Sequence, residues 1–275
     1  MSRFMPLREI RLDAEHTLEQ VTGRFQTIKD GLPELVKNSK DQYARLGIDD
    51  RGTRHIVVIF SDPPLHIGVL DLGGASSEDF EGWSTWSSRE AGRTELSGSI
   101  EAGHGNGGKA FMVRGCQTVA HMSGYRDSRR TQMGFRNDDP SLRYRAGYFE
   151  ADDGKLLREM ADPDALGSLS ALLQPLGVSL ADLPAAVQEA LSGRQAYTLV
   201  VLERVTDLVK ARHKKAVVEQ AVEDLATHPQ AALTLETCSV WIMYGKQIMK
   251  RTPLSPEWPE PMDGFETERV FEVPA

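Results

Sequence analysis

Two runs, RHIVVIF (54–60) and HIGVLDL (66–72), constrain this chain more than any other feature. Both are rich in Ile and Val, both have strand length, and only the turn-forming stretch SDPPL separates them. A parallel crossover needs roughly a dozen residues or more, so the two runs are expected to pair as adjacent antiparallel strands. A third strong strand is expected in AYTLVVLERV (196–205), with weaker ones in 117–124, 131–136 and 142–150. TCSVWIMYGKQIMKR reads as a hairpin turning at Tyr244-Gly245. Helices are expected from about Ala14 to Ile28, and again after Asp30 and Gly31, with Pro33 in the first turn and Gly47 as the stop. Further helices are read at 76–86, 108–116 and 206–228, the last capped by Thr206. Two short helices divided by the Pro175–Gly177 turn occupy 165–191. The chain is therefore a mixture of helices and strands, not all-α or all-β.

At 275 residues the chain suits one large domain or two small ones and can bury a substantial core. Its net charge of −8 argues against a surface that is attracted to nucleic acid as a whole. The two cysteines, Cys116 and Cys238, form no C-x-x-C pair, so neither a disulfide scaffold nor a zinc site is expected. The N-terminal MSRFMPLREIRLDAEH has no apolar signal core, and no apolar run is long enough to span a bilayer. These features point to a cytoplasmic protein with no membrane partner.

Three short patterns carry the chemistry. In E-L-V-K-N-S-K-D, Glu34, Asn38 and Asp41 fall at spacings of four and three, on one helical face. An acid, an amide and an acid in line suit Mg²⁺, which takes oxygen ligands and keeps several waters, with Glu34 placed to deprotonate an attacking water. The same spacing also describes a solvated helix face. Asp71 ends an apolar run and is followed by Gly73 and Gly74, which allow a sharp turn and the approach of a flat ligand. A buried carboxylate there needs a donor, and the exocyclic amine of adenine is one; a strand-end turn acid is the plainer alternative. GHGNGGKA (103–110) resembles a phosphate loop of the form G-x-x-x-x-G-K-[ST], but Ala110 cannot ligate magnesium and TELSGSIEA before it makes no buried strand. What remains is a glycine-rich turn opening a helix, whose N–H groups attract phosphate, with Lys109 beside it.

The order of these patterns resembles the GHKL ATPases, the group of gyrase B, the heat-shock ATPase chaperones, histidine kinases, MutL and microrchidia proteins. The resemblance covers about residues 15–245 and is nearest to the microrchidia-like and chaperone-like members; the lysine-bearing GNGGK is closer to the microrchidia group's glycine-lysine lid, its glycines crowding more tightly than in the chaperones. It implies an α/β (α+β sandwich) fold of Bergerat type: a mixed, mostly antiparallel sheet covered on one face by helices, with a glycine-rich ATP lid at 87–108. Residues 1–250 would form the ATP-binding domain, with 165–191 a small helical insertion and 251–275 a proline-rich tail or linker. The resemblance makes Glu34 the general base and Asn38 the magnesium ligand. Asp41 would lie near the adenine pocket, Asp71 would accept from the adenine amine, and Gly73 would admit the base. Thr198 would help hold Asp71 and its water. Gly103, Gly105, Asn106, Gly107, Gly108 and Lys109 would wrap the phosphates. The family's D-x-G-x-G here reads Asp71-Leu72-Gly73-Gly74-Ala75, with the second glycine displaced by one place.

A histidine kinase would need a phospho-accepting histidine on a long helical hairpin; only His16, after Glu15, sits in such a context, and no hairpin accompanies it. Six arginines (126, 129, 130, 136, 143, 145) and KARHKK (210–215) form basic clusters that could face DNA or a partner protein, or be solvated faces of strands and helix. The expected function is Mg-dependent ATP binding and slow hydrolysis, coupled to lid closure, homodimerisation or binding of a partner or downstream domain. The alternatives are an ATP-binding regulatory module that does not hydrolyse, and a nucleic-acid or protein interaction domain on a degenerate scaffold of this kind.

Overall fold

The computed structural model describes residues 18–20, 22–84, 107–139, 144, 159–250 and 252–257, with backbone alone at 81–84. Its strands are β1 (His55–Phe60), β2 (Ile67–Asp71), β3 (Val119–Arg126), β4 (Arg129–Arg136), β5 (Met160–Ala161), β6 (Tyr197–Leu202), β7 (Ser239–Tyr244) and β8 (Gln247–Ile248). They form one sheet in the order β5-β4-β3-β6-β2-β1-β7-β8. The two apolar runs pair antiparallel as expected, Ile56 opposite Asp71 and Phe60 opposite Ile67. Every neighbouring pair is antiparallel except β1 and β7. The sheet is thus mixed and mostly antiparallel, as the GHKL resemblance implied.

Every residue of β1, β2 and β6 is buried. That explains runs that are apolar without alternation: both faces are covered. Alternation and register place Ile67, Val69 and Asp71 on one face with Ile56, Val58, Phe60, Thr198 and Val200. Against this face lies α1 (Ile28–Arg45). The other main helices gather around α1: α3 (Gly107–Arg114), α7 (Lys214–Thr227) and α8 (Pro229–Thr237). The opposite face meets the Gln174–Leu176 turn between α4 (Ala165–Leu173) and α5 (Ala185–Arg194). There Leu176 Cδ1 lies so close to Gly68 that a methyl group at position 68 would be 2.4 Å away.

Local chemistry moves several expected boundaries. The helix expected to run from Ala14 to Ile28 is not continuous: residues 18–20 and 22 are helical, and a 3₁₀ turn at Gly23–Phe25 gives way before Thr27. Thr27, not Asp30, caps α1, its side chain accepting from the Asp30 amide. The helix expected at 206–228 is two, α6 (Thr206–Lys210) and α7, because Ala211 is extended and Lys214 Nζ donates to the freed Leu208 carbonyl. Val205, not Thr206, stands at the cap position of α6. α8 follows directly, with Pro229 in its first turn and His228 accepting from the Gln230 amide at 3.2 Å. A helix at Ser77–Ser84, α2, matches the expected 76–86. The strand expected at 142–150 lies outside the described residues apart from Tyr144. From the proline-rich end, Leu254 is buried and its amide donates to Val240 O at 2.7 Å, while Glu257 N donates to Ala226 O at 2.8 Å. Among the described residues no helix is long and apolar enough to cross a membrane.

Candidate functional site

The site is organised by α1, which is buried along almost its whole length. Glu34 is 7% exposed and Asp41 1%, so the face carrying them is not solvated; Asn38 is the partly exposed member of the stripe. The reading of E-L-V-K-N-S-K-D as a solvated helix face is thereby excluded.

At its C-terminal half α1 reaches the end of β2. Asp71 is 3% exposed and accepts from the Gly73 amide at 2.9 Å, closing the turn that follows the strand. Burial pushes its carboxyl up to about 6, against the opposing pull of the Gly73 amide and the Ser39 and Thr198 hydroxyls. Thr198 stands directly opposite on β6. Its hydroxyl faces Asp71 closely enough to pull that carboxyl down, and among the described residues it meets no strict hydrogen-bond geometry. Among the described residues neither carboxylate oxygen of Asp41 meets a donor in strict hydrogen-bond geometry, although Lys40 Nζ lies 3.3 Å from Oδ1 and pulls on the carboxyl as an ion pair. Burial raises the Asp41 carboxyl in spite of Lys40. Buried polar atoms left unsatisfied cost free energy, and such atoms ordinarily receive water or ligand.

Three residues that the motif reading missed hold this end together. Tyr43 accepts from the Leu72 amide at 2.7 Å and donates to His55 O at 2.6 Å, locking β1 to the β2 turn. Gln42 Nε2 donates to Gly74 O at 3.2 Å and to Asp79 Oδ2 at 3.3 Å, and its Cγ would lie 3.1 Å from a methyl at Gly73. Ser39 faces Asp71. Ser39, Gln42 and Tyr43 follow the same three-and-four spacing as Glu34, Asn38 and Asp41, one stripe round the helix; that spacing was the available signal. Gly74 has φ +81°, and a methyl there would lie 2.7 Å from Tyr125 O, so the second glycine of the motif is needed where it stands.

At its N-terminal half α1 packs on α3. A methyl at Gly107 would lie 2.5 Å from Glu34 Cδ, so the Glu34 carboxyl sits against Gly107, the first described residue of α3. Lys37 Nζ lies 3.2 Å from Glu34 Oε2. Gly108 and Lys109 are buried in the same first turn, and burial brings the Lys109 ammonium down to about 8. Thus Glu34 meets Gly107, and Asp71 meets Gly73 and Thr198, at two ends of one helix. Gly103, Gly105, Asn106 and the expected lid at 87–108, up to residue 106, lie outside the described residues, as does His16.

Four of the clustered arginines and one lysine of 210–215 pair with acids of the same chain. Arg126 pairs with Asp79 at 3.8 Å, Arg130 with Asp162 at 3.3 Å, Arg136 with Asp138 at 3.3 Å, and Arg129 with Glu159. Lys215 pairs with Glu219 at 3.9 Å.

No protein-family model matches the chain, and no curated protein matches it. Among solved structures, it is similar to the crystal structure of the ATPase region of Saccharomyces cerevisiae topoisomerase II. The match has a TM-score of 0.45 and 11% identity, and covers 81% of this chain and 48% of that one. The chain therefore spans about half the length of that structure. At this distance the likeness is one of outline, and the functional conclusion rests on the site's own residues.

Proposed function

We propose that this chain binds ATP with magnesium in a GHKL-type site along α1 and hydrolyses it slowly, coupling nucleotide state to closure of 87–108, self-association or partner binding. The observation that carries the proposal is that one buried helix joins two chemically distinct ends. One end holds a buried carboxylate, Asp71, beside the Thr198 hydroxyl and a glycine turn. The other sets Glu34 against the start of α3. The eight helical steps from Glu34 to Gln42 span about 12 Å, the scale of an extended nucleoside triphosphate.

The donor set fits such a ligand. Asp71 accepts from an exocyclic amine, and Gly73 leaves room for a planar base. Thr198 and Asp41 supply unsatisfied polar atoms for the waters around it. The amides of Gly107 and Gly108 and the Lys109 ammonium suit phosphate oxygens. Asn38 would hold the magnesium ion, which supplies positive charge against the phosphates. Glu34 takes the proton of the attacking water. Steady-state hydrolysis with Mg²⁺ tests this. Glu34→Ala should abolish turnover while retaining binding, and Asp71→Asn should abolish both. A folded parent that binds no adenine nucleotide would sink the reading.

The Glu34–Lys37 ion pair favours one second reading, a nucleotide-binding module that does not turn ATP over, since a carboxylate held by an ammonium is a poorer base. Binding of ATP without turnover in the parent would select it. The interaction-domain reading has less support, because its described arginines already have acidic partners.

A further inference from the structure

Between Glu34 and Asn38 stands a residue that the motif does not require. Lys37 is 7% exposed, three residues after Glu34 and four before Asp41, on the face that carries all three site residues of α1. Its ammonium lies 3.2 Å from Glu34 Oε2 and 3.4 Å from Oε1. Three residues on, Lys40 is as deeply buried beside Asp41. Burying two ion pairs in eight residues is poor design for stability, because the desolvation of each charge offsets most of the attraction it regains. Lysine at such a place is better explained by a negative charge that arrives from outside.

We propose that Lys37 exchanges partners. In the free chain it holds Glu34; in the nucleotide complex it donates instead to the terminal phosphate of the substrate, which frees the Glu34 carboxylate to accept a proton from water. The inference rests on the ATP site proposed above and adds to it a triphosphate sensor. Glu34 would be neutralised while no terminal phosphate is present and released when one is. The exchange conserves charge pairing: one ammonium leaves one anion for another, and no bond to carbon or phosphorus is made or broken. The carboxyl of Glu34 remains in place against Gly107, so the change requires only a rotation of the flexible lysine stem.

The distinguishing property is preference for triphosphate over diphosphate, measured by calorimetric titration of the folded chain with Mg²⁺ and either ADP or the non-hydrolysable AMP-PNP. The parent should bind AMP-PNP the tighter. Lys37→Met should weaken AMP-PNP about tenfold, as expected for the loss of one charge-assisted hydrogen bond, and leave ADP within about twofold. Lys37→Gln keeps a donor for Glu34, and so avoids a bare buried carboxylate should the Met variant fail to fold, but lacks the charge. It should show the same selective loss. A folded Gln or Met variant with the parent's ratio of ADP to AMP-PNP affinity overturns the inference while leaving the site standing. A parent that binds neither nucleotide overturns both.

Discussion

Asp71 shows how a single residue is held against the interests of the fold. Its carboxyl titrates at about 6 rather than 3.8 because it is buried, and at neutral pH it is nevertheless charged. A folded-state value raised above the unfolded one means that its contribution to stability is fully present below about 3.8 and is lost as pH rises through about 6. Above pH 7 the ionised group costs on the order of 3 kcal/mol, from about 2 units at 1.36 kcal/mol each. Asp71→Asn, whose amide oxygen can still accept from the Gly73 amide, should therefore be more stable than the parent at pH 8, by up to about that amount. Its advantage should shrink toward zero as pH falls to about 4. Thermal melts of both proteins across this range measure it, and an advantage that does not depend on pH would show that Asp71 is not the titrating group. The same variant should lose nucleotide affinity, so function and stability pull apart at one atom. Asp71 was legible in the sequence because a lone acid ended an apolar run before two glycines. Lys37, Gln42 and Tyr43 were not: polar residues at helical spacing look solvated until the elements that cover them are known.

At the scale of elements, α1 was legible as a helix but not as a buried one. Two lysines, two acids and an amide between Glu34 and Asp41 suggest water on one side, and what excludes that water is α3, α7 and α8, brought in from distant parts of the chain. The strands fared better, since β1, β2 and β6 need no partner to be recognised as fully buried. The break of the expected 206–228 helix into α6 and α7 was missed because helical periodicity continues across Ala211–His213, and α8 was not read from the sequence at all. The α1–α3 contact depends on a glycine at the helix crossing. A methyl at Gly31 would lie 2.0 Å from Phe111 Cγ and 2.6 Å from its Cβ, so the ring cannot simply swing clear. Gly31→Ala should therefore destabilise by about 1–3 kcal/mol through overpacking, although alanine is the better helix former. Gly193, inside α5, has nothing within 4 Å of the same position. Gly193→Ala should stabilise by about 0.5–1 kcal/mol from helix propensity alone. Denaturant midpoints of the pair decide this, and equal effects of one sign would show that the α1–α3 crossing is looser than drawn. Under the proposed ATP site, α3 would offer its amides to phosphate, so a folded Gly31→Ala should also lose affinity for AMP-PNP, while Gly193→Ala should not.

For the whole molecule, the partner readings make opposite demands on electrostatics. The chain carries a net charge of −8, and a bound nucleotide adds more negative charge than its magnesium removes. Two copies brought together by nucleotide would repel one another, and salt would screen that repulsion. If nucleotide state is coupled to self-association, then the dimer formed with saturating AMP-PNP and Mg²⁺ should tighten as ionic strength rises from roughly 50 to 300 mM, where the Debye length shortens to below about 8 Å. Binding to DNA through the arginines of β3 and β4 would do the reverse. It releases counterions, and affinity falls steeply with salt, in proportion to the number of phosphates engaged. The ion pairs of Arg126, Arg129, Arg130 and Arg136 with acids of the same chain leave little charge for such contacts. Sedimentation with and without the analogue, across the salt series, should show nucleotide-dependent association that strengthens with salt. Glu34→Ala should show the same with ATP itself, because the bound state no longer decays. A monomer at every salt concentration with the site saturated would end the self-association reading, and the output of the nucleotide state would then have to lie in a different partner.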